Sequence, residues 1–228
     1  MGGPEGMGRV LERWISIGTA VQGTSHIKSN IPCQDSVKHA VNNGKICVSL
    51  SDGAGSASKS EIGSFIIAST ISEYISENFD SLYKMNVNKL RYLILEKIIN
   101  SILVYGTLNT IREYASTMLF VASNKNKYIA GHIGDGMIFR ITNKRKYILS
   151  HPENGEFINQ TYFVTDDDAI EHFRIYRGKT FSDTTFILMS DGVSPRLFDR
   201  RRNNIANACR TISSWLYTES IEKSSDLL

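Results

Sequence analysis

Residues 45–53 read Lys45-Ile-Cys-Val-Ser-Leu-Ser-Asp-Gly53, an apolar run that ends in an aspartate and a glycine. The β-branched and apolar side chains predict a strand over Lys45–Leu50. A glycine after the carboxylate lets the backbone turn away from the sheet, so that the carboxylate points outwards and the neighbouring carbonyl stays accessible. This stretch therefore predicts a strand that carries oxygen ligands to the edge of a sheet.

The same arrangement recurs along the chain. An aspartate next to a glycine or a polar residue follows or adjoins four apolar segments, at Asp35, Asp52, Asp135 and Asp191. A single Asp-Gly pair is typical of an ordinary turn, and that interpretation stays open for each motif alone. Four carboxylates in one place would repel each other and need cations. Oxygen ligands of this kind predict Mg²⁺ or Mn²⁺ rather than zinc.

Two segments, about Lys59–Phe79 and about Asn88–Tyr105, repeat apolar residues every three to four positions. This period predicts two amphipathic helices, each with an apolar face wide enough to cover a sheet. Ser58 and Glu61 form the pattern of a capping box at the start of the first helix. A further helix is expected near Ile205–Tyr217.

The other predicted strands are short and rich in β-branched or aromatic residues. They are Thr117–Ala122, Tyr128–Ile133, Met137–Ile141 and Thr185–Ser190. The polar turn at Asn124–Asn126 predicts an antiparallel hairpin between the first two of these. Strands and helices do not alternate strictly, which favours antiparallel sheets flanked by helices over a doubly wound parallel sheet.

The composition narrows the class of protein. The 228 residues include 26 Lys and Arg against 23 Asp and Glu, a net charge of +3 that predicts no nucleic-acid or membrane partner. The odd number of cysteines, Cys33, Cys47 and Cys209, argues against a disulfide framework and predicts a reducing, cytoplasmic location. Residues 1–8 are expected to form a disordered or vector-derived start, and residues 9–228 a single domain.

Five motifs, in this order, resemble those of the metal-dependent protein phosphatases of type 2C, the PPM family. They are Gly23–Asp35, Asp52–Gly55, Ser116–Val121, Gly131–Asp135 and Met189–Gly192. Residues 152–163 are similar to a segment typical of a bacterial branch. The resemblance covers about residues 18–226. It implies an α+β fold, a four-layer α-β-β-α sandwich in which two antiparallel sheets lie between two helical layers.

The resemblance also implies a Mg²⁺- or Mn²⁺-dependent serine/threonine phosphoprotein phosphatase. In that family two metal ions share a water that attacks the phosphorus directly. By this comparison Asp52 bridges both ions, with the Gly53 carbonyl on one of them, and Asp191 holds the other ion. Asp35 acts through metal-bound water, and Asp135 serves a third, weaker metal. The implied partners are a phosphoserine or phosphothreonine protein and a cognate Ser/Thr kinase.

The sequence departs from the family pattern at several positions. Asp226 is a single aspartate where the family has a pair followed by one more strand, so we expect Asp226 as a metal ligand in a domain that lacks this strand. Pro195 occupies a position that often holds a third-metal aspartate, and Asn30 lies near the place of the phosphate-binding arginine. His26 and Lys28 are the candidates for binding the substrate phosphate, although loop residues of this kind are more often only solvated.

Alternatives therefore stay open. The departures, together with Gln34, leave room for a catalytically impaired pseudophosphatase that binds a phosphoprotein or acts as a regulatory module. The same carboxylates could serve a phosphodiesterase or nuclease. A basic cluster, Arg196 with residues 200–202, fits either guidance of an acidic phosphoprotein or a solvated helix start.

Overall fold

The computed structural model describes residues 14–153 and 161–218, without the side chains at positions 25, 26, 217 and 218. Its helices are α1 (Thr24–Lys28), α2 (Ser60–Lys84), α3 (Val87–Ile102), α4 (Ala169–His172), α5 (Ser194–Leu197) and α6 (Ala208–Thr218), and a 3₁₀ helix spans Leu108–Tyr114. Its strands are β1 (Asp35–Asn42), β2 (Lys45–Asp52), β3 (Met118–Ser123), β4 (Lys127–Ile133), β5 (Met137–Ile141), β6 (Lys146–Ser150), β7 (Arg174–Lys179), β8 (Thr185–Met189), β9 (Phe198–Asp199) and β10 (Asn204–Ile205).

The strands form antiparallel sheets. A five-stranded sheet has the order β1-β2-β3-β4-β7, a three-stranded sheet has the order β6-β5-β8, and β9 and β10 form a small ribbon. The predicted hairpin at Asn124–Asn126 is confirmed, because β3 pairs with β4 on either side of it. A hairpin that was not predicted joins β1 to β2 through Asn43 and Gly44, both with positive φ, as a type I′ turn requires.

Alternate residues of β3 face two different cores. Met118 and Phe120 pack with the apolar faces of α2 and α3. Leu119 and Val121 point the other way and meet residues of the three-stranded sheet, including Ile138. This alternation follows from the two-residue period of a strand, and it places the large sheet between a helical layer and the second sheet.

The three-stranded sheet also has two apolar faces. Ile138 of β5 faces the large sheet, whereas its neighbours Met137 and Phe139 join a third core. Cys209 of α6 and Phe198 of β9 close that core from outside. The layers therefore run α2 and α3, large sheet, small sheet, α6, and the predicted four-layer α-β-β-α sandwich is confirmed.

The amphipathic helices are confirmed with shifted ends, but the predicted capping box is wrong. The residue before α2 is Lys59, and no side chain caps this helix. The amide of Lys59 instead donates to the Glu113 carbonyl at 2.8 Å. The backbone at the end of the 3₁₀ helix thus lies against the start of α2, where Ser58 and Glu61 were expected to act.

Within residues 14–153 and 161–218, every helix is too short or too polar to cross a membrane.

This close approach depends on Gly63. A Cβ at position 63 would lie 2.1 Å from the carbonyl oxygen of Tyr114, a distance that no side chain can occupy. Tyr114 is itself buried at the edge of the helical core, so its backbone has little room to retreat. Glycine at position 63 therefore allows α2 to approach closely the segment that leads into β3.

We expect Gly63→Ala to lower the free energy of unfolding by about 1–3 kcal/mol, the usual cost of an overpacked contact. Urea denaturation measures the loss. Gly55→Ala is the matched control, because a Cβ at position 55 would meet nothing within 4 Å. Equal stability of the two variants would contradict the account of this contact.

Candidate active site

Strand pairing brings the first two aspartates together. Asp35 opens β1 and Asp52 ends β2, and the two are direct partners in the antiparallel register. The third aspartate comes from the other sheet, because Asp191 follows β8 by two residues. Between β8 and Asp191, the Ser190 hydroxyl donates to Oδ2 of Asp35 at 3.5 Å. The ends of three strands from both sheets therefore meet at one place.

Asp52 lies at the centre of this cluster. Burial, as the largest cause, and the negative charges of Asp35 and Asp191 together raise the pKa of its carboxyl to about 9. Hydrogen bonds from the protonated carboxyl to those two carboxylates also favour the proton. A carboxyl in these surroundings would lose its proton readily only beside a positive charge.

Thr117 holds the backbone of Asp52. The Asp52 amide donates to Oγ1 of Thr117 at 3.0 Å, and the Thr117 amide donates to the Asp52 carbonyl at 2.8 Å. The hydroxyl of Ser51 adds a bond of 2.6 Å to the Thr117 carbonyl. Thr117 is 3% exposed, so these bonds are shielded from water. The sequence singled out Thr117 only as part of a motif and did not predict this function for it.

Gly53 sits in a space that admits no side chain. A Cβ there would lie 2.8 Å from the Ser60 carbonyl oxygen and 2.9 Å from that of Gln34. The Gly53 amide donates to the same Gln34 carbonyl at 3.1 Å. The Gln34 side chain in turn donates to Oγ of Ser60 at 2.7 Å and is buried. The backbone directly after Asp52 is therefore fixed against the start of α2.

The carboxyl of Asp135 is within electrostatic reach of Asp191. Burial is the main cause of its raised pKa, and the charge of Asp191 adds to it. The hydroxyl of Thr161, which donates to Oδ2 of Asp135 at 2.6 Å, and the positive charge of Arg200 both oppose that rise. The structure thus brings together Asp35, Asp52, Asp135 and Asp191. The sequence did not predict that Thr161 or Arg200 would interact with Asp135.

The structure describes the remaining predicted site residues only in part. Asp226 lies outside the described residues. His26 belongs to α1, but its side chain also lies outside them. Lys28 ends α1 and is exposed, and no described contact links it to the four aspartates. Pro195 is in the first turn of α5, just beyond Asp191.

The donor set suits a hard divalent cation. Partly buried carboxylates that approach each other need positive charge, and their ligand atoms are all oxygens. In the described part of the chain, no three His, Cys, Asp or Glu side chains surround one point closely enough to hold a metal alone. Mg²⁺ does not need such a site made of protein ligands alone, since it keeps several waters and is bound through one or two carboxylates.

The three cysteines form no disulfide among the described residues. Cys33, Cys47 and Cys209 are free thiols.

A comparison with known families agrees with this geometry. The family model described as protein phosphatase 2C matches residues 22–225, most of the chain. The chain belongs to the protein phosphatase 2C family. The matched range includes all of the aspartates of the cluster. A protein phosphatase 2C is a serine/threonine phosphatase, and that is the class of this enzyme.

Individual relatives are similar in sequence or in fold. Serine/threonine-protein phosphatase 3 of Escherichia coli K12 is 26% identical over 180 residues, which are 75% of this chain and 68% of that protein. A bacterial serine phosphatase has the same fold, with a TM-score of 0.59 and 14% identity over 85% of this chain and 83% of its own. Stp1 from Staphylococcus aureus is similar, with a TM-score of 0.56 and 14% identity over 85% and 80% of the two chains.

In a chelator, we expect the folded chain to lose stability as the pH rises, because of Asp52. Its pKa of about 9 exceeds the value of about 4 for an unfolded aspartate, so between these values the folded state keeps a proton that the unfolded state releases. Asp52→Asn should therefore be the more stable protein at pH 8.5 by about 1–3 kcal/mol, a difference that shrinks towards pH 5.

Urea denaturation at several pH values, with EDTA present, measures this difference. The control is Glu77→Gln, which changes an exposed carboxylate of α2 in the same way. Its stability should follow that of the unmodified chain at every pH. If the free energies of unfolding of Asp52→Asn and of the unmodified chain changed with pH in the same way, the raised pKa of Asp52 would be contradicted.

Proposed function

We propose that this phosphatase depends on Mg²⁺ or Mn²⁺ and hydrolyses phosphoserine and phosphothreonine monoesters of cytoplasmic proteins. The observation that supports this proposal is the position of Asp52, half-buried between Asp35 and Asp191 with a pKa raised to about 9. A cluster of carboxylates that are partly withdrawn from water destabilises a domain that does not bind cations. The magnesium complex of RsbX, whose fold is similar with a TM-score of 0.52, agrees with such a use of the fold.

The ligands would be divided among residues of both sheets. Asp52 would contact both cations, with the Gly53 carbonyl on one and Asp191 on the other. Asp35 would act through water, Asp135 would hold a weaker third cation, and Asp226 would complete the set. The cations, when bound, would acidify a water that attacks phosphorus directly and would neutralise the phosphate oxygens.

The protein's own residues keep this arrangement rigid. Thr117 bonds the backbone of Asp52 on both its amide and its carbonyl side. Gly53 has no side chain that could push it away from Ser60. A carboxylate held in this way does not have to move when the substrate binds. Such preorganisation is usually the largest contribution that a protein makes to catalysis. The same rigidity keeps Asp52 within reach of the carboxylates on either side of it.

His26 and Lys28 remain our candidates for the substrate phosphate. Both belong to α1, which precedes Asp35 along the chain. A cationic or hydrogen-bonding side chain there could orient the phosphate oxygens. We expect a Ser/Thr kinase to phosphorylate the same protein substrates, since a phosphatase of this class requires such a supply.

The alternative functions gain no support. Gln34, one reason for considering a pseudophosphatase, has a structural role, because its side chain bonds Ser60 and its carbonyl accepts from Gly53. No observation of the site favours a phosphodiester over a phosphomonoester. Hydrolysis of para-nitrophenyl phosphate compared with its bis-ester distinguishes these two reactions.

The purified chain should hydrolyse a phosphothreonine peptide with Mn²⁺ or Mg²⁺ and not with EDTA. We expect Asp52→Asn to lower kcat by about a thousandfold or more, since loss of the cations removes several kcal/mol of transition-state stabilisation. Release of inorganic phosphate measures the rate. Glu77→Gln serves as the control and should retain full activity. Activity of Asp52→Asn equal to that of the control would refute the proposed function.

A further inference from the structure

A cavity of about 460 Å³ is lined by arginines of the segment that follows Asp191 along the chain. Arg196, Arg200 and Arg201 contribute to its wall, together with Phe198 and Asp199. All three arginines are exposed to solvent. The cavity thus combines a concave shape with a concentration of positive charge, which is the combination that binds an anionic side chain.

The wall of this cavity is anchored to the core. Phe198 is buried and meets the ring of Phe139 edge to face, with ring centroids 6.2 Å apart. It pairs with Ile205 in the ribbon of β9 and β10. The Asp199 carboxylate accepts from the backbone amides of Arg201 at 3.0 Å and of the next residue. These bonds fix the turn that carries two of the arginines.

The three cavity arginines have no acidic partner among the residues that the structure describes. Among the described residues, only Arg202 of this cluster has an ion pair, a contact of 3.8 Å to Asp199. No carboxylate of residues 14–153 or 161–218 lies within 4.0 Å of a guanidinium nitrogen of Arg196, Arg200 or Arg201. Guanidinium groups that have no carboxylate partner among the described residues are available to bind a carboxylate or phosphate through two parallel hydrogen bonds.

The cavity also lies close to the proposed catalytic centre. Pro195 of its wall comes four residues after Asp191, and the Ser194 amide donates back to the Ser190 carbonyl at 3.1 Å. The charge of Arg200 acts on the carboxyl of Asp135. At least one arginine of the wall is therefore within electrostatic reach of the aspartate cluster, as a subsite for a side chain near the phosphate requires.

We propose that the cavity formed by Arg196, Arg200 and Arg201 is a subsite for an anionic side chain close to the phosphorylated residue of the substrate. This inference rests on the proposed function and deepens it, because it names phosphoproteins with acidic or doubly phosphorylated segments as preferred substrates. The arginines also offset the negative field of the aspartates, which would otherwise repel such a segment.

The test compares three phosphothreonine peptides: one flanked by glutamates, one flanked by glutamines, and one with a second phosphothreonine nearby. The unmodified enzyme should prefer an anionic peptide to the neutral one by about tenfold in kcat/KM, as two partly exposed charge contacts allow. In the double variant Arg196→Gln, Arg201→Gln this ratio should fall to about one or two. The ratio compares two substrates of one enzyme, so effects on the catalytic centre cancel.

Arg145→Gln is the matched control, because Arg145 is exposed in the turn between β5 and β6, at the end of β5 away from Asp135. This variant should keep the tenfold ratio. A preference confined to the glutamate peptide or to the doubly phosphorylated one identifies the anion that the subsite takes. A ratio near one in the unmodified enzyme, or an unchanged ratio in the double variant, overturns the inference.

The outcome also separates this inference from the proposed function. An enzyme that hydrolyses all three peptides equally retains the proposed function without the subsite. If none is hydrolysed, the proposed function fails, and fluorescence anisotropy with the same labelled peptides then measures the subsite by binding alone. The anionic peptides should bind about tenfold more tightly than the neutral one, and equal binding overturns the inference.

Discussion

The antiparallel register of β1 and β2 sets Asp35 opposite Asp52, and the rest of the site is built around this pair. The turn at Asn43 and Gly44 fixes the register, since a shift of one residue would turn every side chain of β1 to the opposite face. The second sheet then brings Asp191 to the same edge. Three chain segments that are far apart in sequence thus meet because two sheets pack face to face.

The cluster of aspartates lowers the stability of the folded state when no cation is bound. The carboxyl of Asp52 is half-buried between two others, and burial of charge without a partner opposes folding. The surrounding structure compensates through close backbone contacts, such as those of Thr117 with Asp52 and of α2 with the segment at Tyr114. Sites that give up stability in this way are common where a protein must bind an ion or a substrate.

Much of the architecture could be predicted from local patterns. Strands such as β2 and β5 are apolar and β-branched, and α2 and α3 have regular apolar faces. β1 was missed because Lys38 and His39 interrupt its apolar pattern, although the Asn43-Gly44 pair is a strong hairpin signal. The prediction of a capping box failed for another reason. The start of α2 accepts no side-chain cap and is bonded to the backbone at Glu113, a tertiary contact that no local pattern reveals.

The site could be predicted only in part. The recurrence of aspartates at strand ends selected Asp35, Asp52, Asp135 and Asp191. The contact of Thr117 with Asp52 spans 65 residues and requires the folded chain.

Under the proposed function, Asp52 would be shared by two divalent cations while Asp191 would serve one of them. Isothermal titration of Mn²⁺ into the unmodified chain, Asp52→Asn, Asp191→Asn and Glu77→Gln tests this claim directly. We expect two tight sites in the unmodified chain and in Glu77→Gln, one in Asp191→Asn, and none in Asp52→Asn. Two tight sites in Asp52→Asn would contradict the claim.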